Sequence, residues 1–109
     1  MNLQAVYDIL RKIIQTKDTI TYQDLSDAYL VNTGMRVDKR DWSSPLFEVS
    51  GRCTQAGFPP ISTVVVRGDD GMPGDGYWGI PGAPPYKDYN MWKKVCSGVY
   101  ATKWPAVLP

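Results

Sequence analysis

The sequence has no histidine, only two cysteines among its 109 residues, and no apolar run long enough to cross a membrane. Each absence closes a class of chemistry. Without histidine, Ser-His-Asp and Cys-His catalysis and every His-ligated metal site are excluded, because no other unperturbed side chain titrates near neutral pH. Two thiols, Cys53 and Cys96, are too few for a four-thiolate zinc site. A strong excess of one charge is also missing, since 12 Lys and Arg face 11 Asp and Glu for a net charge of +1. Dedicated nucleic-acid binders usually carry a basic excess, because affinity comes from Lys and Arg releasing counterions from phosphates. The first residues mix Asp8, Arg11 and Lys12 with Leu3, Val6, Ile9 and Leu10, which is unlike a signal peptide. The expectation is one cytoplasmic domain spanning residues 1–109, with reduced thiols, no membrane association, no cofactor and no metal. At this length one core forms without staples, burying roughly two-thirds of the surface an unfolded chain exposes.

What is present reads as α+β. Leu3, Val6, Tyr7, Leu10, Ile13 and Ile14 recur at spacings of three and four, predicting an amphipathic helix over residues 2–16. Thr21 is the expected N-cap of a second helix reaching Asn32 or Thr33, with Asp24 in its first turn and Gly34 as its left-handed stop. Residues 35–42 are charged and read as a connection. Ser44-Pro45 then looks like the cap and first position of a third helix, which ends at Gly57. Residues 61–66 are β-branched at five of six positions and predict a strand. Six glycines and four prolines punctuate residues 68–85. There Tyr77–Ile80 is expected to return as a second strand, making an antiparallel hairpin with a wide tip. Tyr89, Trp92, Val95, Cys96, Val99 and Tyr100 predict a fourth helix over 88–102.

Helix, short strand at 19–21, two helices and then a hairpin is the element order of a small winged-helix-like domain. More locally, Ile20-Thr21-Tyr22-Gln23-Asp24-Leu25 resembles the "TY-x-x-L" helix start of DNA alkyltransferases and alkyltransferase-like proteins. In that family a proline-led strand follows, onto which Pro59 through Arg67 and Asp70-Gly71 can be laid. The family's Pro-Cys-His-Arg nucleophile motif is absent, because Pro60-Ile61-Ser62-Thr63 holds neither cysteine nor histidine, so the resemblance does not imply alkyl transfer. Nor is its arginine-bearing recognition helix matched, since the third helix offers only Arg52 beside Glu48. Pro59 to Val66 followed by Gly71 to Trp78 also resembles a segment of small uncharacterised bacterial and prophage proteins.

The loop at 68–76 carries Asp69, Asp70 and Asp75 among glycines. A calcium site would need alternating oxygen ligands and a distal Glu, and no Glu follows; a phosphate cradle would be repelled by the three carboxylates. Turn-capping aspartates are the plainer reading. By segment the charge is −1 over 1–35, +2 over 36–68, −3 over 69–76 and +3 over 77–109. In a winged helix the acidic segment would be the wing, where phosphate contact demands the opposite sign. Tyr77, Trp78, Tyr86, Tyr89, Trp92 and Trp104 concentrate in the last third, a composition enriched at protein interfaces and base-stacking surfaces.

The first reading is therefore a non-catalytic protein-interaction module with an unidentified protein partner. Tyr77 and Trp78 would be its apolar anchors, Tyr86 of the following Pro-rich turn would extend the contact surface, and Asp69, Asp70 and Asp75 would be its charged rim. The alternative is a winged-helix regulator of duplex DNA using Arg36, Lys39, Arg40, Lys93 and Lys94. A small enzyme comes last, with Asp24, Asp27 and Cys53 as the groups it would need.

Overall fold

The computed structural model describes residues 1–109. The chain enters α1 (Leu3–Gln15) through Asn2, whose side chain accepts from the Ala5 amide, and the inward face carries Val6, Tyr7, Leu10 and Ile14. A short strand, β1 (Ile20–Thr21), runs directly into α2 (Tyr22–Thr33). Thr21 caps that helix by accepting from the Asp24 amide at 3.1 Å, and Gly34 ends it at φ +74°. The connection that follows turns once as a 3-10 segment, Lys39–Asp41. Next comes α3 (Ser43–Gln55), which begins before the expected Ser44-Pro45 cap and has no side-chain cap at all. Proline still falls in the first turn, where its missing donor costs nothing. What fixes this entry is Trp42, fully buried, whose indole N–H donates to Ser26 Oγ at 2.7 Å and so clamps the connection to α2.

The β-branched run is the main departure from expectation. Ile61–Val64 forms a 3-10 turn and only β2 (Val65–Val66) is extended, pairing with β1 in parallel, Ile20 against Val65 and Thr21 against Val66. All six side chains are buried, because the segment threads between α1, α3 and the last helix. β-Branching here reflects burial rather than membership of a sheet. Hydroxyls hold the turn closed: Thr63 Oγ1 donates to the Pro60 carbonyl at 2.7 Å, and Ser50 Oγ accepts from the Ser62 amide at 3.0 Å.

The antiparallel hairpin does not form, and the sheet is parallel instead. Residues 67–84 close as successive turns: the Arg67 amide donates to Met72 O, Tyr77 to Gly74 O, Ile80 to Tyr77 O and Gly79 to Pro84 O. Gly79, at φ +83°, breaks what would have been the returning strand. The loop then feeds α4 (Tyr89–Ala101), capped by Asp88 through the Met91 amide. The architecture is thus α+β, four helices around a two-stranded parallel sheet, with a Cα radius of gyration of 12.6 Å. No helix is long and apolar enough to cross a membrane.

Two apolar clusters result. The larger joins α1, α2, α3 and the 61–65 segment, and Leu108 closes it. The smaller, Val66, Met72, Tyr77, Trp92 and Cys96, fastens the glycine-rich loop to α4.

Replacing Ser26 by Ala leaves the Trp42 N–H buried without an acceptor, which costs about 1–3 kcal/mol and lowers the urea midpoint. Adding Trp42→Phe removes that orphan donor, so the double variant is less destabilised than the two single losses combined; strict additivity in the double-mutant cycle refutes the clamp.

Candidate functional site

Tyr22 sits where β1 becomes α2, a position set by the Thr21 cap. Its half-buried hydroxyl accepts from the Gly74 amide at 2.9 Å, tying the helix start to the distant loop. Burial raises the hydroxyl pKa, and the Gly74 contact opposes that rise. The loop itself approaches closely: a methyl group on Gly74 would stand 3.0 Å from the Tyr22 hydroxyl, and one on Gly76 2.5 Å from Ser43 Oγ. Gly74-Asp75-Gly76 can therefore lie flat along the start of α3, and glycine is what permits it.

Between this wall and the 3-10 turn opens a cavity of about 160 Å³. Tyr22, Trp42, Phe47 and Tyr77 give it an aromatic lining, Ser43 and Ser62 contribute hydroxyls, and Lys39, Arg40 and Asp75 contribute charge. An engineered cavity of about 150 Å³ admits one benzene; this hollow is open on one side, so a flat aromatic group can enter it with part of its edge left in solvent. Lys39 and Arg40 also line two adjoining hollows, one beside Arg67 and Asp69, the other beside Arg36 and Asp27. The 3-10 turn is the ridge the three hollows share.

The charges around the cavity are largely matched. Arg40 grips Asp38 at 3.0 and 3.3 Å, and that hydrogen bonding lowers the Asp38 carboxyl to about 2. Arg67 binds Asp69 and Lys87 binds Asp70 at 2.8 Å, which lowers both carboxyl pKa values. These aspartates also shape the loop: Asp69 Oδ1 accepts from the Asp70 amide at 2.7 Å, and Asp70 Oδ1 from the Met72 amide at 2.9 Å. Asp75 is the one loop carboxylate without an ion pair, and Lys39 and Arg36 likewise have no acidic partner.

The expected site residues divide accordingly. Tyr77 is only 4% exposed, its hydroxyl 3.0 Å from Thr63 Oγ1 and raised to about 12 by burial, so it is a core residue and not a surface anchor. Trp78 is half-buried edge-on to Tyr77, with an indole N–H that is buried and unpartnered. Tyr86 is 62% exposed. Asp69 and Asp70 are neutralised within the loop. Arg36, Lys39 and Arg40 gather at the hollows, whereas Lys93 and Lys94 lie on the outer face of α4 and line none of those three. Asp24 is an exposed residue of the α2 cap, and Asp27 accepts from Gln23 at 3.1 Å. No three carboxylates or thiols converge as a ligand set. Tyr22 was noted only within the TY-x-x-L helix start, and Ser43, Phe47 and Ser62 were not read as site residues; only the Gly74–Gly76 spacing signalled the close approach, and it read as a turn.

No protein-family model matches the chain, and no curated protein or solved structure is similar to it.

Cys53 and Cys96 are buried, and burial lifts both thiols to about 11. Neither is a ready nucleophile. In the native protein at pH 8 both react slowly with a disulfide reagent, and 6 M-scale denaturant releases them together; fast labelling of the folded form contradicts this burial.

The thiols ordinarily ionise near 9.0 and the Tyr77 hydroxyl near 10.0, but the fold holds them protonated to about 11 and 12. Above pH 9 the unfolded chain therefore binds fewer protons than the native one, and stability falls with rising pH. The urea midpoint is level below pH 8.5, declines through the folded values, and declines less steeply in Cys53→Ala; a midpoint that rises over that span is incompatible with this linkage.

Proposed function

We propose that the protein is a non-catalytic nucleic-acid-binding module that holds one extruded base in the Tyr22–Phe47 cavity, with Lys39, Arg40 and Arg36 on the flanking phosphates. One observation carries this reading: an aromatic-lined hollow open to solvent shares its two basic residues with two adjoining hollows. A base taken out of its stack is held by aromatic and apolar walls, and the backbone on either side is held by cations. Phe47, 57% exposed on the first turns of α3, offers a face at the mouth.

The acidic loop is a weaker obstacle than its formal charge of −3 suggests. Arg67 and Lys87 neutralise two of its aspartates and leave Asp75 alone. The local resemblance of residues 20–25 and 59–67 to stretches of alkyltransferase-like proteins points the same way, while the hairpin that would be that fold's wing does not form. The two matching stretches are joined by the pairing of β1 with β2, and Tyr22, from the first of them, lines the cavity. No cysteine lines that cavity, so binding without group transfer is the fitting activity. A protein-binding surface is the second reading, favoured by Tyr86 and Tyr89, both more than half exposed.

Fluorescence anisotropy with a duplex carrying one bulged base tests the proposal. Two or three phosphate contacts give a log–log salt slope of about −2 to −3. Arg36→Gln with Lys39→Gln weakens binding and flattens the slope by about 2, while Lys93→Gln with Lys94→Gln leaves it unchanged. No binding at low salt overturns the nucleic-acid reading and leaves the protein surface.

A further inference from the structure

We infer that Asp75 makes the cavity selective for a base bearing an exocyclic amino group, admitting adenine, cytosine and guanine and refusing thymine; this rests on the nucleic-acid reading above. The other polar side chains of the cavity offer an occupant protons, save that the uncommitted Ser43 hydroxyl can either give or accept one. The Tyr22 hydroxyl accepts from the Gly74 amide, so it has its own proton to give. Ser62 Oγ accepts from Ser50 Oγ at 2.7 Å and likewise keeps a proton. The guanidinium of Arg40 and the ammonium of Lys39 only donate. Asp75 alone among the charged lining residues is purely an acceptor, and it has no ion pair or hydrogen bond within the protein.

Its position on the wall is imposed by its neighbours. Gly74 is held against Tyr22 and Gly76 against Ser43, so the residue between them has little freedom to leave the cavity edge. An ionised carboxylate there gains from an N–H₂ donor and loses against a carbonyl oxygen. Adenine, cytosine and guanine each present an exocyclic amine. Thymine has none, and its single N3–H is flanked on both sides by carbonyl oxygens that repel the carboxylate. A well-placed contact to a base edge discriminates by about 1–3 kcal/mol, or roughly 5- to 150-fold.

The experiment compares four otherwise identical duplexes, each with a single bulged A, C, G or T, by anisotropy at fixed salt. The wild-type protein is expected to bind the bulged-T duplex about tenfold more weakly than the other three. In Asp75→Ala the four affinities converge to within about twofold, even though loss of a negative charge tightens all of them together. Asp69→Ala removes the same formal charge from the same loop, where Asp69 is engaged by Arg67, and it preserves the tenfold ratio. Asp75 is exposed, so its replacement does not threaten the fold, and circular dichroism checks that directly. Equal affinity for all four bulges in the wild type, or an unchanged ratio in Asp75→Ala, overturns the role of Asp75 while leaving nucleic-acid binding intact. Failure of all four duplexes to bind at low salt overturns both.

Discussion

A stretch of backbone runs through the middle of this protein without a sheet to receive it. From Pro60 to Val66 every residue is buried, and a buried peptide group without a partner is expensive. Two residues find a ladder with β1; the others are satisfied partly by 3-10 backbone bonds, such as the Thr63 amide to the Pro60 carbonyl at 3.2 Å, and partly by side chains. Ser50 accepts from the Ser62 amide, Thr63 turns its hydroxyl to the Pro60 carbonyl, and the Trp92 indole N–H donates to the Thr63 carbonyl at 2.9 Å. Two of these partners, Ser50 and Trp92, belong to α3 and α4. The segment is therefore the axis on which α3 and α4 are oriented, and its far end presents Ser62 to the cavity.

That arrangement explains which parts of the fold could be foreseen. Helices α1, α2 and α4 were legible because periodic burial and the capping residues Thr21 and Gly34 act over a few neighbouring positions. The 61–66 segment was misleading for a physical reason. Val, Ile and Thr are chosen wherever a narrow, fully buried chain must pack on all sides, and a strand is only one such place. Nothing local distinguishes it from a 3-10 turn held by serine and threonine hydroxyls. The missing hairpin follows from the same limit, since Gly79 and the prolines allow either a broken strand or a run of turns, and contacts with α4 decide between them.

The cavity was harder to foresee than the fold because its residues come from five separate stretches, and most have ordinary local roles. Tyr22 looks like a helix residue, and Ser43 and Phe47 carry no signal beside the expected Ser44-Pro45 helix start. Charge reading by segment came closer but mistook the unit. Two of the three aspartates in the loop of formal charge −3 are paired with residues outside the segment, Arg67 just before it and Lys87 well after it. Pairing leaves an unmatched Lys39 on the same hollow as the unmatched Asp75, with unmatched Arg36 on an adjoining hollow. A surface that is neutral in total can still hold a free cation and a free anion on one hollow.

Residues 104–108 fold back across α1. Trp104 stacks on Phe58 with ring centroids 5.5 Å apart, Tyr7 donates to the Pro105 carbonyl, and the Leu108 amide meets Gln4 Oε1 at 2.8 Å, with Leu108 buried in the main core. These contacts join positions 98 and 104 residues apart in sequence. During synthesis at about 5–20 residues per second, Gln4 and Tyr7 emerge roughly 5–20 s before the residues that bond to them. The faces of α1 that meet α2 and α3 are covered well before this, so the contact with residues 104–108 is a late step of vectorial folding.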